Sequence, residues 1–157
     1  MKKLNYHTGK TLKLTNVLKN KILLSDENFN LNTTVEQMQS YIRTHGARQI
    51  GPLIQYSRTF VNDNQELDME IFFLLQCDNF IHGVEYPYQM ESVIRVPDAM
   101  YCRYMGPEQS LKIAYDKIHV EAFEQEAELA EESYTVFVES NEEEGTIVAD
   151  VFVPRKG

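Results

Sequence analysis

The stretch from Val96 to Ile118, VPDAMYCRYMGPEQSLKIAYDKI, decides the fold. It reads as a strand running straight into a helix. Residues 99–105 are Ala, Met, Tyr, Cys, Arg, Tyr and Met, a run rich in strand formers. Gly106-Pro107-Glu108 then ends the strand and opens a helix. Proline suits the first helical position, where its missing N–H is not needed, and Glu108 suits the positive end of the helix dipole. Leu111, Ala114, Tyr115, Ile118 and Ala122 follow at helical spacing and make one apolar stripe. Such a corner is either ordinary core or one wall of a ligand cleft, and the rest of the chain has to separate these.

Beyond the corner, the helix gives way to a glutamate-rich segment, EAFEQEAELAEES. Tyr134 to Ser140 reads as a strand, Asn141 to Gly145 as a charged hairpin turn, and Thr146 to Pro154 as the last strand. Before the corner, Asp78 to Glu91 is irregular, with Gly83 and Pro87. Leu67 to Cys77, LDMEIFFLLQC, is the most apolar strand. Asn62-Asp63-Asn64 is a turn, and Ile50 to Phe60 is a strand entered through Gly51-Pro52. A helix with Val35, Met38, Tyr41 and Ile42 on one face precedes it. Thr33-Thr34-Val35-Glu36 has the form of a capping box, and Gly46 can take the left-handed conformation that ends a helix. Asp26 to Asn32 is polar and reads as a loop. Thr11 to Ser25 reads as a long or broken strand, interrupted near Lys19-Asn20, and residues 1–10 are expected to fray.

The two halves then match. Each reads strand, helix, strand, strand, over residues 11–77 and 93–154, with residues 78–92 as connector. The closing strands share a pattern, Glu70-Ile71-Phe72-Phe73 and Asp150-Val151-Phe152-Val153. The expected fold is α+β, a tandem repeat of two strand–helix–strand–strand modules with antiparallel sheets around a central cleft, in one domain over 1–157.

Composition narrows the function. A hydrophobic fraction of 43% in 157 residues supports a real core. No apolar run is long enough to cross a bilayer, and no apolar signal region follows Met1-Lys2-Lys3-Leu4, so a cytoplasmic protein is expected. Cys77 and Cys102 fall inside strands and read as reduced core residues. A net charge of −9 argues against holding nucleic acid through its phosphates.

Catalytic and metal signals are poor. His7, His45, His82 and His119 are scattered without paired ligand spacing, so no metal and no cofactor are expected. No nucleophile elbow or phosphate loop is present. Tyrosine stands out instead, with nine residues against no tryptophan, and Tyr56, Tyr101, Tyr104 and Tyr134 fall on strands. Glu70 shares a strand face with Phe72 and Leu74, and Glu132 shares one with Tyr134 if the strand begins early enough. A carboxylate among rings and aliphatics suits a lipophilic cation, through charge and cation–π attraction. The competing reading has Glu132 solvated within its glutamate run, and Glu70 at a sheet edge or paired with Arg58 or Arg103. Tyr101 and Tyr104 point to opposite faces of one strand.

With these residues in place, the chain from about Thr11 to Pro154 resembles the gyrase-inhibitor-like (GyrI-like) effector-binding domains, also found at the C-terminus of AraC- and MerR-type regulators. The features are Gly51-Pro52 with Tyr56, then Glu70, Val96-Pro97-Asp98-Ala99, Gly106-Pro107 and Ala114-Tyr115. Glu132-Ser133-Tyr134 (the E-x-Y of the family) and the closing Asp150-Val151-Phe152-Val153-Pro154 complete them. The resemblance implies paired modules around a pocket whose acid meets cationic aromatic compounds. That acid falls on Glu132, or on Glu131 if the glutamate run is shifted by one. Tyr134, Tyr56, Glu70, Tyr104 and Phe152 are the accompanying candidates, Phe152 standing where a tyrosine or tryptophan is common. No DNA-binding domain is attached, so a stand-alone small-molecule binding protein is expected. A protein-interaction module acting through the acidic stretches Glu121–Glu132 and Glu142–Glu144 is the alternative, and a hydrolase of reactive aromatic compounds is the third reading.

Overall fold

The computed structural model describes residues 3–23 and 30–156. Among these, six strands and two α-helices are formed: β1 (Lys3–Ile22), α1 (Leu31–Thr44), β2 (Gln49–Val61), β3 (Leu67–Cys77), β4 (Tyr88–Pro107), α2 (Lys112–Glu124), β5 (Glu132–Asn141) and β6 (Thr146–Pro154). The fold class is α+β, as read from the sequence. The chain divides into two compact units. Unit 1 takes the chain up to Leu12 and from Arg95 onward, and unit 2 takes Lys13–Ile94.

In unit 2, β3 lies between β1 and β2 and is antiparallel to both. Leu18 and Ile22 of β1 and Phe73, Leu75 and Cys77 of β3 point to one face, where Met38 and Ile42 of α1 cover them. Val35 and Tyr41 pack against the same cluster, so the predicted apolar stripe of the first helix is the one that is buried. Gly46 takes φ +79°, as expected of a residue that ends a helix in the left-handed region. In unit 1, β6 lies between β4 and β5, again antiparallel to both. Met100, Cys102 and Tyr104 of β4 and Ala149, Val151 and Val153 of β6 form the face beneath α2. Ala114, Ile118 and Ala122 of α2 cover that face, with Leu111 and Tyr115 at its margin. The Tyr115 hydroxyl is hydrogen-bonded to that of Thr135, which satisfies a pair of polar groups in a nearly dry place. Both cysteines are free and fully buried. Burial pushes the Cys77 thiol up to about 11, which makes it a packing residue rather than a nucleophile.

Five local expectations are corrected. Residues 3–10 are strand, because Leu4 and Tyr6 alternate onto the unit 1 core and gain burial there. β1 is also continuous through Lys19-Asn20, and its left-handed backbone positions are Gly9 (φ +66°) and Asn16 (φ +48°). The first helix is capped by Asn30, whose Oδ1 accepts from the Thr33 N–H at 3.0 Å, so it starts at Leu31 and no Thr33–Glu36 capping box forms. Residues 24–29, the last two of the expected first strand and the first four of the expected loop, lie outside the described residues. The irregular connection ends at Tyr88, where β4 already begins. Finally, β4 runs through Pro107 and a single 3-10 turn, Glu108–Ser110, intervenes before α2.

The caps and cores make a graded prediction for urea unfolding. Asn30→Ala should cost about 1 kcal/mol, while Thr33→Ala should cost less than about 0.5 kcal/mol. Met38→Ala, at a fully buried position, should cost about 2–5 kcal/mol. Equal losses for the Asn30 and Thr33 variants would contradict the cap assignment.

Candidate functional site

Each sheet has a second face, turned away from its helix, and this is where charge and aromatic surface gather. On β4 the alternation that puts Met100, Cys102 and Tyr104 under α2 puts Tyr101 and Arg103 on the other side. The register sets Tyr101 opposite Phe152 and Arg103 opposite Asp150. The Tyr101 and Phe152 rings meet at 5.0 Å between centroids. Asp150 accepts from Arg103 Nε at 2.7 Å and from Arg103 Nη2 at 2.9 Å, one bond on each carboxylate oxygen. The Tyr101 hydroxyl donates to Asp150 Oδ1 at 2.8 Å. This two-point pairing is the strong geometry for a carboxylate and a guanidinium. The Asp150 side chain is only 13% exposed against 38% for Arg103, so the pair is rooted in the sheet and opens at its arginine end.

Two residues of β1 close on the same ring. The His7 ring stacks on Tyr101 at 6.0 Å and the Lys10 ammonium stands 5.6 Å from its centroid. Strict alternation would send residues 7 and 10 to opposite faces. Gly9, with φ +66°, lies between them and breaks the alternation, so both reach Tyr101. Burial, and then the hydrogen bond and charge of Asp150, push the Tyr101 phenol up to about 12.

The residues singled out from sequence are distributed as follows. Tyr134 is 9% exposed and sits opposite Phe152 on β5, so Tyr101, Phe152 and Tyr134 make a row of rings across three strands. Glu132 is the first residue of β5, and by alternation it lies on the Tyr134 side. In unit 2, Tyr56 lies opposite Phe72, with ring centroids 5.9 Å apart. Glu70 lies opposite Arg58 and is bonded to its Nε at 2.7 Å, with Lys21 at 3.7 Å. Of the two arginines considered for Glu70, Arg58 is therefore the partner and Arg103 belongs to Asp150. The Lys19 ammonium stands 5.1 Å from the Phe72 ring. Tyr104 is fully buried in the unit 1 core, and its hydroxyl donates to the Pro107 carbonyl, on the sheet face opposite Tyr101.

The sequence reading passed over His7, Lys10 and the pairing of Tyr101 and Arg103 with Asp150. A signal for that pairing is present. Tyr-x-Arg occurs at Tyr56–Arg58 and Tyr101–Arg103, and acid-x-Phe at Glu70–Phe72 and Asp150–Phe152. Residues two apart share a strand face, so each dipeptide pattern presents a ring and a charge together. Elsewhere in unit 1, the β5–β6 turn borders a groove of about 660 Å³ lined by Glu139, Glu142, Glu143 and Glu144, with Met105 and Val148. Among the described residues, no group of three or more His, Cys, Asp or Glu is placed to hold a metal ion. No described helix is long and apolar enough to cross a membrane.

Spectrophotometric titration of tyrosine ionisation checks the Tyr101 environment. One phenol should ionise near pH 12, and in Asp150→Asn it should fall while staying above 10, because burial, the larger cause, remains. A phenol whose folded value is raised above its unfolded one stabilises the fold below pH 10, and that stabilisation is lost as pH rises from about 10 to 12. A titration unchanged by Asp150→Asn would contradict the hydrogen bond.

No protein-family profile matches this sequence, and no curated protein matches it. Solved structures do. The crystal structure of the EcmrR C-terminal domain superposes with a TM-score of 0.62 at 14% identity, over 96% of this chain and 98% of that domain. The EcmrR chain in a cryo-EM complex with DNA gives 0.63 at 12% identity over 99% of this chain, which spans 57% of that longer chain. A structure described as a bacterial transcription-regulation protein of Staphylococcus aureus MU50 gives 0.54 at 8% identity, over 98% of this chain and 99% of that one. At these identities the likeness is one of fold: this chain folds as the EcmrR C-terminal domain does.

Proposed function

We propose that this protein is a small-molecule-binding, ligand-sensing or sequestering domain of the GyrI-like effector-binding type, built as a tandem pair of strand–helix–strand–strand modules. The observation that carries the reading is the helix-averted face of the unit 1 sheet. It combines the acid of the E-x-Y pattern, Glu132, with Tyr134 and Phe152 on one side of β5 and β6. Rings supply area and a carboxylate supplies orientation, which is the usual division of labour in a small-molecule site. Tyr56 and Glu70 supply the same residue types to the helix-averted face of unit 2. Tyr104 supports β4 from the core side. The ligand is an amphipathic aromatic compound, and Glu132 is the group that would meet a cationic substituent. The fold shared with domains of transcription regulators supports the reading.

The acid-lined groove at the β5–β6 turn favours a second reading, in which a basic segment of a partner protein docks on Glu139 and Glu142–Glu144. Exposed charge pairing of that kind weakens steeply with ionic strength, whereas binding among buried rings responds little.

A thermal-shift screen with lipophilic cations and neutral aromatic compounds tests the first reading. A ligand at about 100 times its dissociation constant adds roughly 2.7 kcal/mol. For a domain of this size that raises the melting point by about 2–4 °C for each kcal/mol. Cations should stabilise the wild type and lose that effect in Glu132→Gln. Failure of every compound to stabilise the wild type would remove the small-molecule reading.

A further inference from the structure

We infer that the Tyr101 end of the unit 1 sheet face is an anion site, made for an aromatic carboxylate. The inference rests on the small-molecule reading and assigns the ligand a charge at this end of the face. The local charge count is the starting point. Lys10 and Arg103 are cations, His7 is a third nitrogen donor, and Asp150 is the carboxylate that Arg103 and the Tyr101 hydroxyl hold. Asp150 is already engaged, with Oδ1 accepting from Tyr101 and Arg103 and Oδ2 accepting from Arg103 again. Its charge is therefore matched by Arg103. Among the described residues no carboxylate is paired with Lys10 or His7, so the balance here is positive.

The aromatic surface is guarded in the same sense. A cationic ligand needs the π face of a ring, and Lys10 already stands 5.6 Å from the Tyr101 centroid. An incoming cation would have to displace it or endure its repulsion. An incoming carboxylate would instead meet the Lys10 ammonium and the guanidinium edge of Arg103 that Asp150 does not use. Its ring would lie against His7 and Tyr101, which are already stacked. The arrangement is built rather than incidental, because Gly9 must leave ordinary strand geometry for His7 and Lys10 to converge. Glu132 lies on β5, two strand spacings or about 10 Å from β4. The face thus has an acidic end and a basic end, and a ligand can use either.

Calorimetric titration with three probes of one shape tests this: naphthoate, naphthylmethylammonium and naphthalenemethanol. Naphthoate should bind the wild type more tightly than naphthalenemethanol and weaken with added salt. Lys10 is exposed, so Lys10→Gln should keep the melting point of the wild type. It should weaken naphthoate by about two- to fivefold, as expected of one exposed charge pair, and leave the alcohol unchanged. Lys10→Glu should abolish the advantage of naphthoate over the alcohol. Naphthoate binding no tighter than that of naphthalenemethanol, naphthoate binding indifferent to Lys10→Gln, or no binding of any probe would each overturn the anion site. Stabilisation by cations that is lost in Glu132→Gln would in those cases leave the broader ligand-binding reading standing.

Discussion

Strand alternation is the constraint on which both sheets depend. Each sheet must bury one face under a helix, and a one-residue slip would turn every buried side chain outward. Fixing Met100, Cys102 and Tyr104 beneath α2 therefore fixes Tyr101 and Arg103 on the opposite side. Fixing Ala149, Val151 and Val153 does the same for Asp150 and Phe152. The charged and aromatic face is thus a consequence of the hydrophobic one. The Arg103–Asp150 pair adds to the constraint, since a slipped register would leave a mostly buried carboxylate without its two-point partner.

The same cross-strand quartet occurs in each unit: a tyrosine opposite a phenylalanine, and two residues along, an arginine opposite an acid. The connectivity differs. In unit 2 the tyrosine and arginine are on β2, the hairpin neighbour of β3. In unit 1 they are on β4, which precedes α2, and β5 contributes Tyr134 from the other side. The chemistry recurs although the strand that supplies it changes. What the pattern requires is therefore a cross-strand pair on a helix-averted face, not a particular order along the chain. Resident cations also lie over rings in both units, Lys10 over Tyr101 and Lys19 over Phe72. A site read from residue types alone takes these rings as open to a ligand cation, whereas the structure places the protein's own cations there.

Much of this was legible in the chain. The α+β class, the stripe of α1 with Met38 and Ile42, that of α2 with Ala114 and Ile118, the bounds of β3 and the β5–β6 hairpin follow from local periodicity and turn chemistry. Both helices bury the residues their spacing marks, because a helix stripe depends only on positions three and four apart. Glu70 was legible as a strand acid near an arginine, since Arg58 is reached across one short hairpin. Less legible were the element ends. Asn30 outcompeted Thr33 as the cap because its side chain reaches the free N–H three residues on. The polar start of β1 became strand because Leu4 and Tyr6 found a core supplied by residues almost a hundred positions later.

By itself the sequence determined which residues face a helix and which face away, because those choices are set by periods of two and of 3.6 that are local to each element. It also determined the residue types of the candidate site. Only the tertiary structure decided partnership: that Asp150 takes Arg103 and Tyr101, that Glu70 takes Arg58, and that His7 and Lys10 meet over one ring. Those outcomes depend on register between strands distant in sequence and on one left-handed glycine, neither of which is a property of any local stretch.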